Sequence, residues 1–156
     1  MAGKRTASTS ANPKGSSTSS VRAYKRTRAD HARELAEDYV ELIDDLIRDG
    51  GEARAVDIAA RLGVSHVTVT NTIARLKRNG LVTSEPYRAV FLTPEGRHLA
   101  EAARKRHRLV LEFLIALGVP PDDAETDAEG IEHHLSPATL NAMKRFLKPP
   151  AAASGA

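Results

Sequence analysis

The sequence predicts a mainly α-helical fold, and three observations carry that prediction. Apolar residues recur at the helical period in several long segments, while β-rich patterning is confined to two short runs. Gly, Pro and Asn punctuate the chain mostly between those segments. A helix, a short Gly-containing turn and a second helix precede the β-rich runs, the order of a helix-turn-helix followed by a wing. The expected architecture is an N-terminal winged helix-turn-helix joined by a long helix to a C-terminal group of helices.

The first helix is expected over residues 30–48, with Leu35, Tyr39, Leu42, Ile43, Leu46 and Ile47 as its apolar stripe and Asp49-Gly50-Gly51 as its stop. A short helix over 55–62 follows, with Val56, Ile58, Ala59 and Leu62 mostly inward. Gly63-Val64 makes a tight turn, and Ser65 caps a third helix to residue 78 whose inward residues are Val69, Ile73 and Leu76. Asn79-Gly80 ends it. Residues 81–84 and 89–92 form a hairpin through Glu85-Pro86-Tyr87-Arg88. Thr93-Pro94-Glu95 combines a cap, a Pro at the first helical position and an acid in the first turn, and so opens a long helix ending at Gly118. Asp127 is read as the cap of a helix running through His134. Ser136-Pro137 starts the last helix, which ends near residue 148. The chain has no internal repeat.

With 156 residues the chain has room for one domain or two small ones sharing a core. It lacks a run of the roughly 18 apolar residues that span a membrane, and the apolar core of a signal peptide. A cytoplasmic protein without a membrane partner is expected. Zero Cys excludes disulfides and thiolate metal sites, leaving only oxygen and nitrogen ligands. The net charge of +3 hides a split. Residues 1–29 carry Lys4, Arg5, Lys14, Arg22, Lys25, Arg26 and Arg28 and no acid, leaving sixteen Lys/Arg against all 20 Asp/Glu in the rest. The expected layout is a disordered basic leader (1–29), a winged helix-turn-helix domain (30–96), a helical domain (97–148) and a disordered tail (149–156). The leader reads either as a solubilising segment or as an arm that adds phosphate contacts on DNA.

Opposite the inward stripe of the third helix lie Val67, Thr68, Asn71, Arg75 and Arg78, with Ser65 and His66 at its N-terminal end. Asn can bond adenine bidentately, Thr and Val methyls suit the thymine methyl, and Arg reads guanine or phosphate. Lys77, Arg78 and the wing residue Arg88 are candidate phosphate contacts. The candidate DNA-binding set is Ser65, His66, Thr68, Asn71, Arg75, Lys77, Arg78 and Arg88.

A second constellation points to a metal. In Glu129-Gly130-Ile131-Glu132-His133-His134, a helix would place Glu129, Glu132 and His133 on one face, a set of donors for a divalent cation. Asp38 and Glu41, at i and i+3 on the first helix, and His107 on the long helix form a matching set. Taken alone, Asp38 and Glu41 also fit a charged helix flank, and His107, inside the basic run 104–108, a surface histidine.

From about residue 36 to 147 the chain resembles the manganese transport regulators, the manganese branch of the diphtheria toxin repressor family. The resemblance rests on Glu37-Asp38-Tyr39-Val40-Glu41, Val56-Asp57-Ile58-Ala59, Val69-Thr70, Leu92-Thr93-Pro94-Glu95-Gly96, Arg106-His107-Arg108-Leu109 and residues 129–136. It implies that Asp38, Glu41, His107, Glu129, Glu132 and His133 are metal ligands, that two cations bind per subunit, and that the C-terminal helices form a dimerisation domain. Iron-sensing relatives place Met at the position of Asp38 and Cys at that of Glu129; this chain has carboxylates at both. Such sites suit Mn²⁺, with Fe²⁺ as the alternative ion.

The function expected from the resemblance is a manganese-activated homodimeric repressor that binds double-stranded operator DNA, controls manganese uptake genes and has no enzymatic role or small organic substrate. Three alternatives stand beside it: an iron- or dual-metal-responsive repressor of the same family, a dinuclear metal hydrolase, and a metal-independent winged-helix regulator that binds a small molecule, with the acids as surface charge.

Overall fold

The computed structural model describes residues 16–85 and 88–148. The chain divides into two units at Arg33/Glu34. The described part of the first is the N-terminal portion of helix α1 (Ser16–Gly50), whose start lies well before the residue 30 expected from the apolar stripe. The remaining expectations for the leader and tail, residues 1–15 and 149–156, and the turn residues Pro86 and Tyr87, lie outside the described residues.

The second unit begins with the rest of α1 and continues with α2 (Ala55–Leu62), α3 (His66–Arg78), strands β1 (Val82–Ser84) and β2 (Val90–Leu92), α4 (Pro94–Ala116), α5 (Pro121–Ile131), a 3₁₀ turn (Glu132–His134) and α6 (Pro137–Leu147). The fold is mainly helical, with one small antiparallel hairpin. Its register pairs Val82 with Leu92, Thr83 with Phe91 and Ser84 with Val90. Ala53 bridges to Val90, extending the hairpin by one residue pair.

Two apolar clusters hold this unit. The first joins Tyr39, Val40 and Ile43 of α1, Ile58 of α2, Val69, Ile73 and Leu76 of α3, both strands, and Ala100 of α4. Tyr39, Ile43, Ile58, Val69, Ile73 and Leu76 lie inward as helical spacing predicts, whereas Val40, outside the expected α1 stripe, is fully buried and Leu35, Leu42, Leu46 and Ile47 are only partly buried. Val56 departs from expectation: it is 59% exposed. It stands in the first turn of α2 and lines the groove beside α3 rather than the core. The second cluster centres on Val110 of α4, Ala128 of α5 and Met143 of α6. The 23 residues of α4 extend about 35 Å at the helical rise, and one helix thus enters both cores.

Local caps set the joints. Thr93 Oγ1 accepts from the Gly96 N–H at 3.0 Å and donates to the Gly80 carbonyl at 2.7 Å. At Gly96 the start of α4 lies so close to the Leu81 carbonyl that a Cβ would stand 2.0 Å from its oxygen. The Thr-Pro-Glu-Gly signal therefore starts a helix and also fixes it against the root of the wing. The expected start at Asp127 is corrected: α5 begins at Pro121, with Asp122 and Asp123 in its first turn. Pro at the helix entry followed by acids is the stronger initiation signal. No described helix is long and apolar enough to cross a membrane.

Candidate metal centre and nucleic-acid interface

The α-helix expected through His134 ends at Ile131 and tightens into a 3₁₀ turn. Tightening brings successive side chains round faster than an α-helix does. Glu132 is only 3% exposed, and its two carboxylate oxygens face different histidines: Oε2 lies 2.8 Å from His107 Nδ1, and Oε1 lies 3.5 Å from His133 Nε2. Glu129 Oε1 is 3.7 Å from His107 Nδ1. Asp38 Oδ1 is 3.4 Å from His133 Nε2. Glu41 joins the group electrostatically, its carboxyl perturbed by Glu132 and His107. The three separated segments singled out in the sequence thus converge.

Three further residues belong to this cluster and escaped the sequence reading. Glu37, 2% exposed, accepts from Arg106 Nη2 and lies 2.9 Å from His133 Nδ1. Arg106 Nη2 also lies 3.8 Å from Glu132 Oε1. Glu125 Oε1 is 3.1 Å from His107 Nε2. His107, Glu125 and Glu129 each offer a ligand atom, all within 4.8 Å of one another. Glu125 had a signal, its i−4 spacing from Glu129. Arg106 looked like one more member of a solvated basic run.

The donor chemistry fits a divalent cation. Burial, the leading cause, pushes the Asp38, Glu41 and Glu132 carboxyls above the ordinary carboxylate range. Neighbouring acids push Asp38 and Glu41 further, against the opposing charges of His133, Arg104 and His107. For Glu132, burial outweighs the histidines and Arg106. Burial would lower His107, but Glu132, Glu125 and Glu129 together raise it. Clustered carboxylates whose charged form is disfavoured, beside imidazole nitrogens, bind a hard cation favourably. Nearby, Arg104 bonds Asp44 at 2.9 Å and Asp45 at 2.6 Å, a second tie between α4 and α1.

The other surface lies on α3. Ser65 Oγ accepts from the Thr68 N–H at 3.1 Å and meets Thr68 Oγ1 at 2.8 Å, so both hydroxyls are engaged at the cap. His66, Asn71, Lys77, Arg78 and Arg88 are exposed, and Arg75 is half-buried, with its Nη2 buried and lacking a hydrogen-bond partner among the described residues. Lys77 Nζ donates to the Ser84 carbonyl at 2.6 Å, tying α3 to the wing. His66, Val67, Asn71, Lys77 and Arg88 line a groove of about 780 Å³ that also takes in Arg54, which the sequence reading missed. Arg54 pairs with Glu52 at 2.7 Å. Val67, on α3, is an apolar group facing solvent, 68% exposed.

Residues 32–90 match the iron dependent repressor N-terminal DNA binding domain, and residues 93–153 match the iron dependent repressor metal binding and dimerisation domain. The chain is 54% identical to the transcriptional regulator MntR of Escherichia coli O6:H1 over 126 residues, 81% of each chain. It is 42% identical to the HTH-type transcriptional regulator MntR of Geobacillus kaustophilus over 110 residues, 70% of this chain and 76% of the relative. Among solved structures it resembles a manganese-dependent transcriptional repressor in complex with manganese, with a TM-score of 0.63 and 33% identity over 71% of this chain. The chain spans about half the length of that structure, 51%. These matches make the protein a transcriptional regulator rather than an enzyme, and remove the hydrolase alternative. With a DNA-binding domain and a metal-binding dimerisation domain matched in order, the chain belongs to the iron-dependent repressor family, the diphtheria toxin repressor family that its motifs resemble, and within it to the MntR transcriptional regulators.

Proposed function

We propose that the protein is a cytoplasmic, homodimeric, manganese-activated repressor of manganese uptake genes that binds double-stranded operator DNA. Asp38, Glu41, His107, Glu129, Glu132 and His133 would hold two Mn²⁺ per subunit, with Glu125 a further donor in reach. The observation that carries the reading is the convergence of α1 with α4 and the α5–3₁₀ segment on a cluster of acids, with Glu132 buried at its centre and Asp38 and Glu129 at its solvent edge. The opposite face of α1 packs in the same core as α3. A bound cation supplies the positive charge and coordination bonds that these carboxylates lack.

The chain's own groups account for the rest. Without countercharge, Asp38, Glu41, Glu129 and Glu132 repel one another across the junction between α1 and the C-terminal helices, and α1 is held there by Arg104 and Arg106. Neutralised, the acids hold α1 to α4 and α5. Because α1 and α3 share a core, the position of α1 sets the position of α3. In a two-fold dimer, that spaces the two α3 helices for half-sites about 34–36 Å apart. Ser65, His66, Thr68 and Asn71 then face base edges, while Arg75, Lys77, Arg78 and Arg88 meet bases or phosphates.

The similar solved structure of a manganese-dependent repressor and the carboxylate-rich donor set support Mn²⁺ over Fe²⁺. The test uses DNA selected by the protein from a random pool in Mn²⁺. Its affinity is then measured without metal and with Mn²⁺, Fe²⁺ or Zn²⁺. The reading predicts tighter binding by about 5–150-fold with Mn²⁺, the usual range of an allosteric coupling. Equal affinity with and without Mn²⁺ would refute it.

A further inference from the structure

We propose that Glu37, which is outside the ligand set above, is a positioning residue: clamped by Arg106, it holds the proton on His133 Nδ1 so that Nε2 presents its lone pair to the cation. The inference rests on His133 being a metal ligand.

The geometry is specific at each end of the imidazole. Nε2 faces the acids of the proposed site, 3.4 Å from Asp38 Oδ1 and 3.5 Å from Glu132 Oε1. Nδ1 faces away from them, 2.9 Å from Glu37 Oε2. A ring lone pair and a carboxylate oxygen are both acceptors, and a contact of that length needs a proton between them. The same Oε2 accepts from Arg106 Nη2. An oxygen that already accepts from a guanidinium stands as an acceptor, so the ring N–H is the donor in the second contact. Arg106 Nη2 lies farther from Nδ1, at 3.3 Å, and it already donates to Glu37. With Nδ1 holding the proton, only Nε2 can coordinate.

Burial makes the arrangement rigid. Glu37 is 2% exposed and the side chains of His133 and Arg106 are 12% and 13% exposed. The three come from α1, the 3₁₀ turn and α4, the same elements that meet at the proposed site. Glu37 precedes Asp38 in sequence, so one turn of α1 supplies both a ligand and the support of another ligand. A carboxylate behind a ligating histidine fixes its tautomer and increases its basicity, and loss of such a group costs about 10–100-fold in metal affinity.

The test begins with the wild-type full chain, metal-free and at alkaline pH, where the His133 tautomer is read from its ring ¹⁵N shifts. The proton is expected on Nδ1; a proton on Nε2 overturns the proposal without any variant. In Glu37→Gln the tautomers should mix, and Mn²⁺ affinity by calorimetry should fall about 10–100-fold, with the helical circular dichroism retained. Wild-type affinity in that variant overturns the proposal. Arg106→Lys keeps a cation beside Glu37 and should lose less affinity than Glu37→Gln; an equal loss would place the effect in Arg106 packing instead of the Glu37 carboxylate. His133→Ala separates the two readings: if it leaves Mn²⁺ affinity unchanged, His133 is not a ligand and the ligand assignment itself fails.

Discussion

Gly96 and Glu129 show how differently single residues carry this protein. A Cβ at Gly96 would stand 2.0 Å from a backbone oxygen that cannot swing aside. Gly96→Ala should therefore cost about 1–3 kcal/mol, the range for overpacking, read as a lowered midpoint in denaturant; an unchanged midpoint would mean that α4 shifts freely against the wing. The Glu129 side chain is 68% exposed. Glu129→Ala should leave the metal-free protein within about 0.5 kcal/mol of wild type, as surface changes do, yet weaken DNA binding in excess Mn²⁺. Undiminished Mn²⁺-dependent binding would remove Glu129 from the ligand set. What was legible at this scale followed from spacing: Glu129, Glu132 and His133 lie close in sequence, and Asp38 and Glu41 share a helix face. Glu37 and Arg106 were not legible. Their hydrogen bonds join residues 69 and 96 positions apart, and no local period marks such a pair.

Helices α2 and α3, the hairpin and α4 were readable because each is written locally, as an apolar period bounded by a cap or a glycine. Ser65, Thr93 and Ser136 each accept from the N–H three residues on. The α5 boundary differs from expectation because Asp127, a residue type common at caps, lies inside a helix that Pro121, Asp122 and Asp123 already start. Nothing local in the sequence marks the 3₁₀ turn after Ile131, whose Glu132 meets His107 of α4, 25 positions away. That turn and α1 hold the acids whose pKa values govern a pH effect. Asp38, Glu41 and Glu132 have raised pKa values in the folded chain, so the native state holds their protons more tightly than the unfolded state. Metal-free stability must then fall as pH rises from the ordinary carboxylate range through those raised values. His107, also raised, contributes stability that is present below the usual histidine pKa and lost as pH rises through its folded value, the same direction. A cation relieves the repulsion that remains at higher pH. The thermal shift caused by Mn²⁺ should be largest at neutral to alkaline pH and shrink toward acid. A shift independent of pH would detach these acids from the metal.

Across the whole molecule, charge is unevenly placed. Residues 1–29 hold seven Lys/Arg and no acid, while the remainder is net negative. Replacing those seven with Gln should flatten the salt dependence of DNA binding, by about 0.9 in log–log slope for each phosphate that the segment no longer neutralises. An unchanged slope would make the segment a solubilising leader. Two surfaces share α1: acids facing α4 and α5 on one side, and the core that seats α3 on the other. If metal and DNA favour the same arrangement, each must tighten the other by one factor. The most direct measurement is Mn²⁺ affinity by calorimetry with and without saturating operator DNA, set beside operator affinity with and without Mn²⁺. Equal enhancement, within about 5–150-fold, is predicted; Mn²⁺ affinity that is the same on and off DNA would contradict the account.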